Sequence, residues 1–192
     1  MSHLWTLHRI AACVLVSALT LTTSNRPLLA NVVPPHDRVV VVIMENKSYD
    51  EVRVLPYTAG LIAAGGTCTS SFAVIHPSQP NYFAIWSGYT QGVSNDNCPA
   101  PGSPFSAENL GHACEAAGLT WRAYSENLPT PGGTACSYDG TASTGLYTRK
   151  HDPWTYFSNL NHLNERPYPD LAADMQHGLP VVFELLARCY CD

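Results

Sequence analysis

Val39-Val40-Val41-Val42-Ile43 sets five β-branched residues in a row, without the polar alternation of a half-exposed strand. A run of this kind is the pattern of a strand buried on both faces, as in a parallel sheet covered by helices. It stops abruptly at Met44-Glu45-Asn46. Downstream, helical and strand segments alternate. Helices are expected over Pro56–Ala64 with Gly65-Gly66 closing it, and over Pro80–Ser87, where proline sits in the first turn. Others are expected over Ser106–Ala117, capped by Ser106 and stopped by Gly118, over Pro153–Leu163 and over Pro169–His177. Leu119–Tyr124 and Leu179–Leu186 are the further strand candidates, and Glu126–Gly145 reads as a long loop. This order predicts an α/β fold with a mostly parallel sheet and flanking helices. Ligands of such sheets sit at the carboxyl ends of the strands, which puts Glu45 and Asn46 at a site position.

The chain has 192 residues, enough for one domain, and 13% charged against 45% apolar residues, a balance that excludes a disordered chain. Its net charge of −5 and lack of a basic cluster exclude nucleic acid as an expected partner. Residues 1–30 read as a secretory leader: a basic start at His8-Arg9, an apolar run from Ile10 to Leu21, then small and polar residues to Ala30. The run is too short to span a membrane, so the expectation is an exported domain over 31–192, secreted or periplasmic. Six cysteines lie beyond the leader: Cys68, Cys98, Cys114, Cys136, Cys189 and Cys191. An even number in an exported chain predicts disulfides, with two bridges among the four internal cysteines. Cys98 and Cys136 lie in or beside the two long loops that most need tethering, and spacing leaves the pairing open.

Three groups of residues carry possible chemistry. Glu45-Asn46 is either a solvated strand end or a pair of oxygen donors for a hard divalent cation. The neighbouring Asn46-Lys47-Ser48 also fits an N-glycosylation sequon, though a strand-end loop facing a cleft is a poor acceptor. In His76-Pro77-Ser78-Gln79-Pro80-Asn81-Tyr82, two prolines bracket Ser78 just ahead of a helix. Ser78 is either a helix cap or, at a helix N-terminus that favours anions, a nucleophile beside a metal. Asn81 offers an amide donor to a phosphate oxygen. In His151-Asp152-Pro153, Asp152 reads as an N-cap, and His151 either faces the cleft as a phosphate contact or proton donor or sits on the surface. Asp174 and His177 share a helix face and read as solvated rather than metal-binding.

Together the blocks Ile43-Met44-Glu45-Asn46-Lys47-Ser48-Tyr49-Asp50, His76 to Tyr82 with Ser87-Gly88, Gly118 to Pro129 and Arg149 to Pro153 resemble the phosphoesterase family. That family contains bacterial acid phosphatases and phospholipases C and belongs to the alkaline phosphatase superfamily. The four blocks keep the family's order, and the likeness covers about residues 36 to 183. The resemblance implies an alkaline phosphatase-like fold and a secreted, metal-dependent phosphoric ester hydrolase. It assigns Glu45, Asn46 and Ser78 to a divalent metal of unstated identity, Ser78 to nucleophilic attack, and Asn81 and His151 to the phosphoryl group of a phosphate-ester substrate. Family members run on into an Asp-Met-His-Asp-Gly-like block and a later acidic pair, whereas this sequence stops at Asp192. The alternative expectation is therefore a catalytically inactive, truncated member that keeps at most weak phosphate or cation binding.

Overall fold

The computed structural model describes residues 38–44, 47–138 and 147–177, and the backbone of 183–188. The leader, Glu45, Asn46, and the terminal Cys189 and Cys191 lie outside these residues. Strands β1 (Val39–Met44), β2 (Trp121–Ser125), β5 (Glu165–Pro167) and β6 (Phe183–Arg188) form one sheet in the order β1-β6-β2-β5. Each adjacent pair is parallel, with Val39 and Trp121 both in register with Phe183. A two-stranded antiparallel ribbon, β3 (Ser137–Tyr138) with β4 (Tyr147–Thr148), lies apart from it. The helices are α1 (Tyr49–Val52), α2 (Pro56–Ala64), α3 (Ser78–Ser87), α4 (Leu110–Ala116) and α5 (Asp170–Gln176). The architecture is thus mixed α/β around a small parallel sheet.

The β-branched run forms its strand, but not the doubly buried one expected. β1 is an edge of the described sheet, and Val39, Val40, Val42 and Met44 are exposed. β-branching selects the extended backbone locally, while burial depends on which layers cover the strand. The core lies instead between α3 and β2 and is aromatic. Phe83, Trp86, Trp121, Trp154, Tyr156 and Phe157 are each at most 1% exposed. Their rings meet edge-on or tilted, with Trp86 against both Trp121 and Trp154 at 5.2 and 5.7 Å, a favoured aromatic geometry.

Gly111, buried on α4, is fitted to this core. A Cβ there would lie 2.8 Å from Leu160 and Trp86 and 2.9 Å from Trp121. Gly111→Ala gains about 1 kcal/mol of helix propensity but meets two indoles with nowhere to go, an overpacking cost of about 1–3 kcal/mol. The clash wins, and a lowered urea midpoint with a net loss of up to about 2 kcal/mol is expected; a stabilised variant would show the core to be loose.

Several boundaries move for physical reasons. α3 begins two residues before the expected Pro80. α4 starts at Leu110, not Ser106, and its cap is Asn109, whose Oδ1 accepts the His112 N–H at 2.9 Å. Pro153–Leu163 is not an α-helix. It holds 3-10 turns at Pro153–Tyr156 and His162–Asn164. The reason is that Phe105 takes the backbone there: its N–H donates to Tyr156 O at 2.7 Å and its carbonyl accepts the Ser158 N–H at 2.8 Å. Those groups are then unavailable to a helical ladder. Cys98 and Cys136 form a disulfide that ties the two long loops together, whereas Cys68 and Cys114 are free thiols. Among the described residues there is one bridge where two were expected.

Candidate functional site

Beside the carboxyl end of β1, a cleft of about 430 Å³ opens between Ile43, Lys47, His76, Ser78, Asn81 and Tyr82. Ser78 and Asn81 thus come together at the strand end where a ligand was expected. Ser78 is the first residue of α3, and the cap position belongs to Pro77, which has no side chain to bond the helix. The reading of Ser78 as a helix cap therefore falls. Asn81, one turn on, is engaged at both ends of its carboxamide. Its Oδ1 accepts the N–H groups of Val74 and Ile75 at 2.8 and 3.1 Å, and its Nδ2 donates to Pro77 O at 2.9 Å and to Ile75 O. These bonds hold the 74–77 loop against the first turn of α3.

His151 is buried rather than on the surface. Its ring lies 5.0 Å from that of Tyr82, a residue of the cleft lining. Glu45 and Asn46 follow directly on Met44 and lie outside the described residues. Among the described residues there is no group of three or more His, Cys, Asp or Glu side chains placed to hold a metal. Asp174 accepts the Tyr124 hydroxyl at 2.7 Å and His177 bonds Ala173 O, so the pair serves α5 rather than a metal.

Other residues had no signal in the sequence. Lys47 brings a positive charge to the cleft, 3.9 Å from Glu51. Its only cue was a place three residues beyond the strand end. Asp96 accepts the Gln79 N–H at 2.9 Å and pairs with Lys150 at 3.0 Å. It lies in a Pro/Gly/Asn loop with no local mark of such a role.

Behind the site lies a cluster of buried acids. Asp152 stands at the expected N-cap position, ahead of the 3-10 turn at Pro153, but its side chain makes no cap bond: it turns inward and accepts the Ser125 hydroxyl at 2.8 Å. Burial pushes its carboxyl up to about 8; the Ser125 bond opposes this and the nearby Glu165 adds to it. Glu165 on β5 is fully buried and 2.6 Å from His162 Nδ1. Burial raises its carboxyl, while the same hydrogen bond raises the His162 imidazole. The Tyr147 phenol is raised as well, by burial and then by Asp152. Asp152 thus keeps at neutral pH a proton that a free aspartate would lose.

Residues 51–190 match the phosphoesterase family. Over 159 residues the chain is 35% identical to a phosphatidylinositol-3-phosphatase of Mycobacterium tuberculosis, which covers 81% of this chain and 50% of that protein. It is 29% identical over 131 residues to an acid phosphatase of Aspergillus fumigatus, with 68% of this chain and 29% of that protein covered. A phosphate-repressible acid phosphatase of Penicillium chrysogenum is also 29% identical, over 75% of this chain and 36% of its own length. The chain therefore spans half the length of the first of these relatives and less of the other two. No solved structure matches it significantly.

Proposed function

The chain belongs to the phosphoesterase family, and from that premise we propose that it hydrolyses phosphomonoesters through Ser78. The observation that carries this reading is the place of Ser78, at the head of α3 and inside the cleft beside the carboxyl end of β1. The names of the relatives favour monoesters over the phosphodiesters of phospholipases C. In the first step the Ser78 oxygen forms a bond to phosphorus as the ester P–O bond breaks, and the leaving alkoxide takes up a proton. Water then attacks the phosphoserine, releasing inorganic phosphate and restoring the Ser78 hydroxyl. The α3 N-terminus and Lys47 supply positive potential to the phosphoryl oxygens. His151 is assigned to the phosphoryl group, and Asn81 to a phosphate oxygen in exchange for one of its loop bonds.

Glu45, Asn46 and Ser78 make an all-oxygen donor set, the chemistry that suits a hard divalent cation. Of the three, the described cleft contains Ser78. A divalent ion held there would supply positive charge to the phosphoryl group and favour the ionised serine. An alkaline phosphatase-like organisation and export through residues 1–30 belong to the same proposal. No helix among the described residues is long and apolar enough to cross a membrane.

The test is phosphate release from p-nitrophenyl phosphate and from a phosphoinositide monophosphate, with Mg, Ca, Mn or Zn added and after chelation. Metal-dependent release is expected. Binding of phosphate or cation with no release under any metal would favour the inactive alternative.

A further inference from the structure

Asp96 lies in the loop that follows α3, and its two carboxylate oxygens hold different parts of the molecule. Oδ1 accepts the backbone N–H of Gln79 at 2.9 Å, and Oδ2 accepts the Lys150 ammonium at 3.0 Å. Gln79 directly follows Ser78, and Lys150 directly precedes His151. One side chain thus grips the neighbours of both residues. The hold on Gln79 is reinforced: its buried side chain donates from Nε2 to Asn95 O at 3.2 Å and Asn97 O at 3.1 Å, on either side of Asp96. The far side is closed as well. The Cys98–Cys136 disulfide joins this loop to Cys136, whose carbonyl accepts the Arg149 N–H at 3.1 Å. Lys150 and Asp96 are 24% and 28% exposed, so their attraction is screened less than that of an open surface pair.

We propose that Asp96 is a positioning residue that sets the placement of Ser78 relative to His151, an inference that rests on the phosphoesterase reading above. Its carboxylate reaches no cleft wall and takes no part in bond making. It ties the first turn of α3 to the 149–151 turn through Gln79 and Lys150, which are 71 residues apart by sequence. A misplacement of about 1 Å at a reacting pair costs on the order of 100-fold in rate, so a clamp of this kind acts on kcat.

The experiment compares the parent chain with Asp96→Ala, Asp96→Asn and Asp96→Glu, reading turnover and the backbone amide spectrum together. Asp96→Ala is expected to lower kcat by about 10- to 100-fold with KM changed by less than about threefold. The Gln79 amide should exchange faster, and the amide signals of both Ser78 and His151 should move. Asp96→Asn keeps an acceptor for Gln79 but loses the charge facing Lys150, so it should keep Gln79 protected and move the His151 signal. It also serves if the alanine variant fails to fold. Asp96→Glu should restore part of kcat. Unchanged kcat in the folded variants, amide changes in Asp96→Ala confined to one of the two turns, or an unmoved His151 signal in Asp96→Asn would overturn the proposal. A parent chain with no turnover would sink the phosphoesterase reading instead. The amide signals of Asp96→Ala would then decide the clamp alone, upheld by movement at both Ser78 and His151 and overturned by movement at only one.

Discussion

Ser78→Ala is expected to abolish phosphate release, by at least about 1,000-fold, while the chain stays folded. A methyl group cannot attack phosphorus, and the other hydroxyl among the described cleft residues is the phenol of Tyr82, which is buried. Such a loss corresponds to about 4 kcal/mol of transition-state stabilisation. The fold should tolerate it, because Ser78 is the first helical residue and Pro77 holds the cap position. The change thus avoids the about 1 kcal/mol that loss of a side-chain cap costs. Two measurements decide the matter: release from p-nitrophenyl phosphate under the best metal, and the urea midpoint. Turnover within a few-fold of the parent would remove Ser78 from the chemistry. Loss of turnover together with unfolding would leave the assignment to Ser78→Cys, which keeps a nucleophile and should retain a trace of activity.

The second large effect is on stability against pH. Asp152 holds its proton up to about 8 in the folded chain, whereas an unfolded aspartate loses it near 3.8. Below about pH 4 both states are protonated and this group adds no pH dependence. Between there and about 8 the folded state binds the extra proton, so stability falls as pH rises, with a slope approaching 1.4 kcal/mol per pH unit, of order. Glu165 is raised too and works in the same direction. His162, raised by its bond to Glu165, likewise contributes stability below its unfolded value that is lost as pH climbs through its folded one.

Asp152→Asn imitates the neutral acid and still accepts the Ser125 hydroxyl. Urea titrations from pH 4.5 to 8.5 should therefore show a steep fall in the parent and a shallower one in the variant. The variant should be clearly the more stable at pH 8, with the gap narrowing steadily toward pH 4.5. Parallel profiles for the two proteins would mean that Asp152 ionises in the folded chain as it does in water.

Much of the local structure was legible because its causes are local. Pro56 and Gly65 bound α2 at the residues expected, and α5 lies within the expected 169–177. Both depend on dihedral preferences and caps only a few residues apart. The same holds for the strand nature of 39–43, whereas the place of Ser78 and Asn81 beside its end was expected from the family resemblance and not from a local cause. Asn81 could be located but its hydrogen bonds could not, because the 74–77 loop that occupies it has no regular pattern.

What the amino-acid sequence alone determined was the class of fold, its family, and the neighbourhood in which chemistry would be found. Tertiary structure decided the rest. It made the β1 valines an edge and put the core in the aromatic residues of α3, β2 and 154–157. It turned the side chain of Asp152, at its cap position, into a buried acid, placed Glu165 in a short strand no periodicity announced, and brought Asp96 to Gln79 and Lys150. The physical reason is common to all of these. Backbone preference is set by neighbours along the chain, whereas burial, proton affinity and ion pairing are set by neighbours in space. Asp96 and Lys150 are 54 residues apart and Ser125 and Asp152 are 27 apart, distances at which no local signal exists and only folding creates the contact.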